Sequence, residues 1–422
     1  MRRFLTLAIL LLLLTGCGDI QALLSTPEPA AVATDTPIPV AISTSTVTPT
    51  ATPEGPPTLR IWVPPQFDPS AERMVGTLFQ EKLDEFVARR PGLKIEVRVK
   101  AESGDVGLLN ALSTTRSAAP SVMPDLVALS RADMEAATAK GLLHPLDGLT
   151  TLLEDPDWYP YARQMARIQN TTFGLPFAGD ALTLVGYRYP LPTSWNELSD
   201  ETLFVFPAAD PRALFTLSLY LSAGGTLQDG QGRMDLDEAI LDEVLSLYSP
   251  DVENQFISPQ VVNYENDEQA WNAFREQRGN LVVSWASRFF NEETLSLALG
   301  SLPGLETGQY TLATGWSWTL AGSNPVNQPL AVELAEFLSD SQFLAEWSQA
   351  AGYLPTRPTA ISSWSDTREQ LILTQTAESA SLVPGEDLLV TVGPLFSEAT
   401  LAVLNADQLP AEAAHAIVEQ LK

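Results

Sequence analysis

The order of apolar patterns between residues 59 and 129 restricts the fold of this chain more than any other feature. Strand-like runs at 59–63, 95–99 and 124–129 alternate with helical apolar spacing at 70–90 and 106–118. Ser70 is the expected cap of the first helix, and Pro91 with Gly92 ends it. A β-α-β-α-β order is the unit of a parallel, doubly wound sheet. The sequence therefore predicts an α/β fold.

The loop after the first strand argues against a nucleotide ligand. In parallel sheets of this kind, ligands bind beyond the carboxyl ends of the strands. Residues 64–68 read PPQFD and lack the glycine-rich loop that holds phosphate groups. The formal net charge of −28 also opposes binding to nucleic acid. Neither feature identifies the ligand that does bind.

The amino terminus has the features of a secretory signal. A basic start at 1–3 precedes an apolar run at 4–14, which is shorter than the roughly 20 residues needed to span a bilayer. Residues 14–17, LTGC, resemble the lipobox of bacterial lipoproteins, in which the peptide is cut before the cysteine and the cysteine is lipidated. Cys17 is the only cysteine, so it has no disulfide partner in the chain. We predict a signal peptide at 1–16 and lipidation at Cys17. An ordinary signal peptide with an unpaired cysteine is the alternative.

A segment of biased composition joins this signal to the rest of the chain. Between residues 25 and 57, nineteen of 33 residues are Ser, Thr or Pro, and none is aromatic or Leu. Such a segment cannot bury enough apolar surface to offset the entropy of ordering it. We predict that 17–57 form a lipidated, extended stalk. The remainder, 58–422, is longer than one typical domain and favours two lobes.

A series of motifs then follows in an order typical of one protein family. The motifs are MPDLVAL (123–129), KGLLHPLDGL (140–149), GLPFAGDALTLVGYR (174–188), PTSWNEL (192–198), AFREQRGNLVVSW (273–285), ATGWSWTLAGSNPVNQPLAVELAEFL (313–338) and AAGYLPTRPTAI (350–361). The chain resembles the extracellular solute-binding proteins of ABC importers, the class that includes maltose-binding protein. The resemblance covers nearly all of 58–422. One departure is the stretch at 187–192, which is shorter than its counterpart in the family.

The resemblance implies a type II periplasmic-binding-protein-like fold, in which two α/β lobes each contain a doubly wound sheet with flanking helices. The implied parts are a first lobe at 58–177 and 319–358, a second lobe at 181–314 and 363–422, and hinge strands near 178–180, 315–318 and 359–362. The implied function is capture of a small solute by hinge closure and delivery to an ABC permease. The protein would be an extracytoplasmic monomer, held to the membrane by its lipid, and neither an enzyme nor a user of cofactors.

Five residues are predicted to bind the solute if it is a saccharide. A sugar presents C–H faces and hydroxyl edges, so its site needs aromatic rings beside polar side chains. Trp285 ends a strand where the resembling family has a cleft aromatic, and Tyr353 lies in a loop near the cleft of many relatives. Trp316 and Trp318 are two residues apart in the returning crossover and share one face of a strand. Asp180 aligns with an acidic ligand contact of maltose-binding relatives. Core packing of the rings, and a turn cap for Asp180, are the alternatives.

Four more residues are predicted from their place after strands. Phe67 and Asp68 follow the first strand, and Ser130 and Arg131 follow the third. The carboxyl ends of these strands are where the first lobe would contact a ligand. A purely structural role in these loops is the alternative.

Several functions remain open from the sequence. A saccharide is the favoured solute, and a polyamine or peptide is the rival within the same fold. A surface lipoprotein that presents its solute to a sensor is a second hypothesis. An enzyme is poorly supported, because the only histidines, His144 and His415, are far apart in sequence and no metal-ligand spacing occurs.

Overall fold

The computed structural model describes residues 57–198, 201–250, 256–292, 296–305, 308–322 and 324–421. These residues belong to one compact unit, Pro53–Lys422. The predicted signal peptide, the lipidation site Cys17 and the predicted stalk up to residue 56 lie outside the described residues.

Strands and helices alternate along the described part of the chain. The strands are β1 Thr58–Val63, β2 Lys94–Val99, β3 Leu126–Ser130, β4 Arg167–Ile168, β5 Thr171–Thr172, β6 Gly174–Gly186, β7 Phe204–Val205, β8 Leu281–Trp285, β9 Ala298–Ser301, β10 Thr311–Leu320 and β11 Ala380–Leu382. The α-helices are α1 Met74–Ala88, α2 Leu108–Ala118, α3 Arg131–Ala139, α4 Pro160–Met165, α5 Leu214–Ser222, α6 Glu238–Ser246, α7 Asp267–Arg275, α8 Ala286–Phe290, α9 Gln328–Phe337, α10 Ser341–Ala351, α11 Pro358–Ser362, α12 Thr367–Ser379, α13 Glu386–Leu404 and α14 Pro410–Gln420.

The first three long strands form the predicted parallel unit. β1 lies between β2 and β3 and is parallel to both, with Leu59 opposite Ile95 and Ile61 opposite Leu126. The start of the first helix differs from the prediction, since α1 begins at Met74 and not after Ser70. The reason is a turn in which the Asp68 carboxylate accepts hydrogen bonds from Ser70 N (2.8 Å) and Ser70 Oγ (2.7 Å). Ser70 is thereby engaged before the helix begins.

Two long strands connect this unit to the rest of the sheet. The strand order is β2-β1-β3-β10-β6-β8-β7, with β11 added beside β10 and β9 beside β6. β10 is antiparallel to β3 and to β6, and the far end of β6 pairs with β8 and β9. We call the part built on β1, β2 and β3 the first lobe, and the part built on β7, β8 and β9 the second lobe. Strands β6 and β10 run through both.

A pair of glycines lies where β6 and β10 cross between the lobes. Gly315 of β10 is opposite Gly179 of β6. A Cβ atom at position 315 would lie 2.2 Å from the carbonyl oxygen of Ala178, and one at 179 would lie 2.1 Å from the Tyr161 hydroxyl. Gly179 also exchanges two backbone hydrogen bonds with Leu354. Only glycine allows these three backbone segments to approach so closely.

Helix α13 is the one helix in the described part of the chain that is long and apolar enough to cross a membrane. It packs against α5, α6 and α14, and it buries Leu389, Val392 and Phe396. This is the packing of a core helix.

Replacing Gly315 with Ala should lower the free energy of unfolding by about 1–3 kcal/mol, because the added methyl group meets a backbone oxygen that can move only with the strand. Urea unfolding measures this difference. Gly230→Ala is the matched control, since a Cβ atom there meets nothing within 4 Å. Equal unfolding midpoints for the two variants would contradict the crowding described here.

Candidate solute-binding site

A cavity of about 750 Å³ lies between the two lobes at the crossover. It is at the carboxyl ends of β1, β3 and β8, where open α/β sheets bind ligands. Its wall consists of Gln66, Glu102, Ser130, Ala132, Asp180, Arg212, Asn266, Asp267, Glu268, Trp285, Ser287, Arg288, Asn291, Thr314, Gly315, Trp316 and Tyr353. Five of the nine residues predicted from the sequence are among them: Ser130, Asp180, Trp285, Trp316 and Tyr353.

Trp285 presents a half-buried aromatic ring to this cavity and packs against the core on its other side. It is the last residue of β8, where it is opposite Leu182 of β6, and α8 begins directly after it. The side chain is half-buried, and no ring in the described part of the chain packs against it. Its indole is therefore available to a flat apolar surface of a solute.

Trp316 and Trp318 share a face of β10 but differ in depth. Phe67 lies 5.3 Å from the Trp316 ring and 5.2 Å from the Phe177 ring, and Phe177 in turn stacks on Trp318 at 4.4 Å. Trp316 is at the crossover and lines the cavity, whereas Trp318 lies two residues further into the first lobe and is covered by Phe79 of α1. The alternation of side chains along a strand predicts on which face of the sheet a residue lies, but not how far along the strand the cavity extends. For this reason Trp318 was predicted as a cavity residue together with Trp316.

Phe67 packs behind two aromatic rings of the cavity wall. Its side chain is 1% exposed and contacts the rings of Trp316 and Tyr353, at 5.3 and 5.6 Å. The neighbouring Gln66 lines the cavity in its place. Phe67 thus holds two cavity rings in position without lining the cavity itself.

Asp68 and Arg131 also lie away from the cavity wall. Asp68 caps the turn before α1. Arg131 donates to the Glu135 carboxylate (2.7 Å) and to the carbonyl oxygens of Met165 (2.8 Å) and Arg167 (2.6 Å). The chain turns into α3 after Ser130, so Ser130 faces the cavity while Arg131 holds the end of α4.

Asp180 is a buried carboxylate that accepts three hydrogen bonds. Its Oδ1 accepts from the backbone N–H groups of Ala181 (3.0 Å) and Ser287 (3.1 Å), and its Oδ2 accepts from the Ser287 hydroxyl (2.6 Å). The net effect of its surroundings raises the pKa of Asp180 from 3.8 to about 7: burial is the largest cause, the hydrogen bonds from Ser287 and Ala181 act against it, and the Asp267 carboxylate adds to it. Asp180 therefore titrates near neutral pH.

The second lobe contributes polar residues that the sequence motifs did not identify. Asp267 begins α7, and its carboxylate accepts from the Ser284 hydroxyl (2.5 Å) and from Arg288 Nε (2.9 Å). Arg212 precedes Ala213, whose left-handed backbone (φ 47°) starts α5. Sequence signals existed for Asp267, since Asn266 is a typical helix cap. No comparable signal marked Arg212, because a left-handed alanine is not expected from its residue type.

The cavity combines rings with both signs of charge. Four carboxylates (Glu102, Asp180, Asp267 and Glu268) and two guanidinium groups (Arg212 and Arg288) line it together with the rings of Trp285, Trp316 and Tyr353. Burial, with the Asp180 and Glu102 carboxylates, raises the pKa of the Tyr353 hydroxyl, which keeps it a hydrogen-bond donor. No group of three His, Cys, Asp or Glu residues able to hold a metal ion occurs among the described residues. Stacking and hydrogen bonding are the chemistry that this wall provides.

Residues 83–370 match the model of the family described as bacterial extracellular solute-binding protein. The chain belongs to this family. The resemblance to extracellular solute-binding proteins, stated above from the sequence motifs, is confirmed. Members of this family are extracellular binding proteins rather than enzymes. No curated protein matches the chain.

Solved structures share the fold of this solute-binding protein at low sequence identity. Maltose-bound MalE3 of T. maritima is 18% identical, with 86% of this chain and 98% of that chain covered and a TM-score of 0.62. The cyclic alpha-maltosyl-1,6-maltose binding protein of Arthrobacter globiformis is 15% identical over 87% and 98%, with a TM-score of 0.69. A cyclo/maltodextrin-binding protein complexed with maltotetraose is 17% identical over 88% and 98%, with a TM-score of 0.67. The expected two-lobed α/β fold is confirmed, while the residue boundaries of the lobes and the ligand roles of single residues stay predictions.

The ionisation of Asp180 should lower the free energy of unfolding of this solute-binding protein as pH rises from about 4 to 7. The pKa of Asp180 is higher in the folded chain than in the unfolded chain, so between the two pKa values the folded chain binds more protons. Raising the pH through this range therefore favours the unfolded chain. The effect is at most on the order of 4 kcal/mol. Urea unfolding of the wild type and of Asp180→Asn, measured from pH 4 to 8, isolates it. Parallel pH profiles for the two proteins would contradict the assignment.

Proposed function

We propose that this protein captures a saccharide in the cavity between its lobes. The observation that carries the proposal is the composition of the wall, which contains three aromatic rings together with carboxylates, guanidinium groups and amides. Rings cover the C–H faces of a sugar, and the charged groups accept from and donate to its hydroxyl groups. Because each sugar hydroxyl is both donor and acceptor, a wall with Asp, Glu and Arg side by side suits it.

Both lobes supply parts of this wall, and that supports binding by hinge closure. Gln66, Ser130 and Tyr353 come from the first lobe, and Trp285 and Arg288 come from the second. A solute that touches both sets is bound more tightly when the lobes are closed, and that difference in affinity is what drives closure. The closed, loaded protein is then the form delivered to an ABC permease.

A lipid at Cys17 would keep the protein beside that permease. The LTGC sequence and the absence of a second cysteine support lipidation. Stable anchoring by acyl chains needs more than one chain, since each buried CH₂ contributes about 0.8 kcal/mol. The stalk would let the binding part move above the membrane.

A solute with a positive charge is the second candidate. Carboxylates outnumber guanidinium groups in the cavity wall, and Arg288 is already paired with Asp267 at 2.9 Å. Aromatic rings beside carboxylates also attract ammonium groups. A polyamine is the simplest solute with these properties.

Thermal unfolding of the full chain with neutral oligosaccharides, polyamines and short peptides distinguishes these candidates. A solute present at 100 times its dissociation constant should stabilise the protein by about 2.7 kcal/mol. We expect a rise in the unfolding midpoint with one class of saccharide alone. A rise with polyamines alone would replace the saccharide by the cationic solute.

Trp285→Ala should weaken binding of that saccharide by more than about 1 kcal/mol, because the cavity loses a ring, while the protein stays folded because the side chain is only partly buried. Calorimetric titration measures the affinity. Tyr189→Ala is the control, since that ring is 49% exposed and outside the cavity wall. An unchanged affinity for Trp285→Ala would remove the ring from the site.

Lipidation predicts that the mature amino-terminal peptide begins at Cys17 and carries the mass of acyl chains. Mass spectrometry of the protein from membranes tests this, and Cys17→Ser should release the protein from the membrane fraction. A membrane-bound Cys17→Ser protein, or a mature peptide without added mass, would show that the anchor is something else.

A further inference from the structure

Two neighbouring carboxylates in the cavity wall have hydrogen-bond partners of different kinds. Asp267 accepts at Oδ2 from the Arg288 guanidinium (2.9 Å). Asp180 accepts at Oδ1 from the backbone N–H groups of Ala181 (3.0 Å) and Ser287 (3.1 Å). In the described part of the chain, its Oδ2 has one partner, the Ser287 hydroxyl (2.6 Å). One carboxylate is therefore paired with a cation, and the other is bound by neutral donors.

The surroundings of Asp180 disfavour a negative charge. The residue is 8% exposed, and no cationic side chain among the described residues forms an ion pair with it. The charged groups that face it are Asp267 of α7, which repels it, and Arg288 of α8, which is engaged by Asp267. The hydroxyls of Tyr161 and Tyr353 also face it, and burial raises the pKa of both, so they stay neutral. A buried charge without a cation is costly. The other charged residues of the wall are Glu102, Arg212 and Glu268.

A proton on Oδ2 would leave all three hydrogen bonds of Asp180 in place. The two backbone N–H groups donate to Oδ1, which remains an acceptor when the other oxygen is protonated. The partner of Oδ2 is a hydroxyl, and a hydroxyl accepts as well as donates. The bond between Oδ2 and Ser287 therefore reverses its direction on protonation and is kept.

This reversal changes what Ser287 offers to a solute. Ser287 lines the cavity. While Asp180 is ionised, the hydrogen of the Ser287 hydroxyl is used within the protein, and the hydroxyl can only accept from a solute. Once Oδ2 carries a proton and donates to Ser287, the serine hydrogen is free to donate to a solute oxygen. The protonated pair thus gives the wall a hydrogen-bond donor that the ionised pair lacks.

We propose that Ser287 is a solute-binding residue controlled by Asp180, and that the cavity binds its solute with Asp180 protonated. Asp180 is the positioning residue of the pair, since both of its oxygens are used within the protein. A neutral solute that fills the cavity also removes water from the wall, which disfavours the ionised carboxylate further. The inference rests on the proposed function, because the solute it considers is a saccharide.

The affinity for a neutral saccharide should fall as pH rises through the pKa of Asp180, which its surroundings raise to about 7. The protonated fraction is the fraction competent to bind, so the apparent affinity follows it. Between about pH 6 and about pH 8, we expect the dissociation constant to rise about tenfold. Binding at the higher pH should take up close to one proton. Calorimetric titration of the full chain with neutral oligosaccharides, in two buffers of different ionisation enthalpy, measures both quantities.

Asp180→Asn reproduces the protonated carboxylate at every pH. The amide oxygen can accept from the two backbone N–H groups, and the amide nitrogen can donate to the Ser287 hydroxyl. At the higher pH, we expect this variant to bind the saccharide as tightly as the wild type does at the lower pH, without proton uptake. A wild-type pH dependence in Asp180→Asn would assign the dependence to another group and overturn the proposal.

Ser287→Ala tests the hydroxyl itself, and it serves as the second variant if Asp180→Asn does not fold. It keeps the backbone N–H bond to Asp180 and removes the donor to the solute. At the lower pH it should bind about as weakly as the wild type does at the higher pH, and the pH dependence should be lost. A pH dependence as large as that of the wild type would overturn the proposal.

Ser284→Ala is the matched control for Ser287→Ala. The Ser284 hydroxyl also donates to a carboxylate, that of Asp267 (2.5 Å), but it is fully buried and outside the cavity wall. This variant should keep the pH dependence of the wild type. Loss of the pH dependence in Ser284→Ala as well would show that any change at this end of β8 removes it, and would overturn the role given to Ser287.

The results separate this inference from the proposed function. A saccharide that binds equally well at both pH values contradicts the inference alone. If no saccharide binds at either pH, the proposed function fails and the inference fails with it. Spermidine is the second solute in the titration, because a cation beside Asp180 favours the ionised carboxylate. Binding of spermidine alone, tighter at the higher pH and with release of a proton, would replace the saccharide by a cationic solute and overturn the inference.

Discussion

The pairing of β6 with β10 is the constraint on which the rest of the structure depends. These two buried strands run antiparallel through both lobes, and they touch at Gly179 and Gly315 without side chains between them. The first lobe is joined to the second through this ladder, and the loop at Leu354 is hydrogen-bonded to it at Gly179. A thin connection of this kind bends more easily than the packed lobes on either side of it, which suits a protein that closes on a ligand.

The same ladder explains why the cavity residues are distant in sequence. Trp316 and Asp180 belong to the crossing strands themselves, and Trp285 ends a strand that pairs with β6. Their positions follow from strand register, which is fixed along the whole sheet once the crossing is formed. Tyr353 completes the wall from the first lobe, where packing against Phe67 holds its ring. The cavity is therefore a product of sheet geometry more than of any single loop.

Local patterns were sufficient to predict the parallel unit and the ends of its strands, because periodicity and strand ends are properties of a few neighbouring residues. Trp318 shows the limit of such patterns: its face on β10 was predictable, but its depth depends on where β6 and β10 cross. Arg212 shows another limit, since it reaches the cavity through a left-handed Ala213 and through contact of its backbone with Gly393 of α13. Neither a sequence motif nor a residue type indicates such a long-range contact.

The direction of β1 has a practical consequence for the use of this protein as a sensor. The strand begins at Thr58, and its carboxyl end leads to Gln66 in the cavity wall, so its first residue lies roughly 20 Å away at 3.3 Å per strand residue. A bead, electrode or fluorescent protein attached ahead of Thr58 would be joined to the protein at the amino end of β1, on the side of the sheet remote from the cavity. The mouth of the cavity would stay open to the sample, and a dye near the cavity could report binding undisturbed.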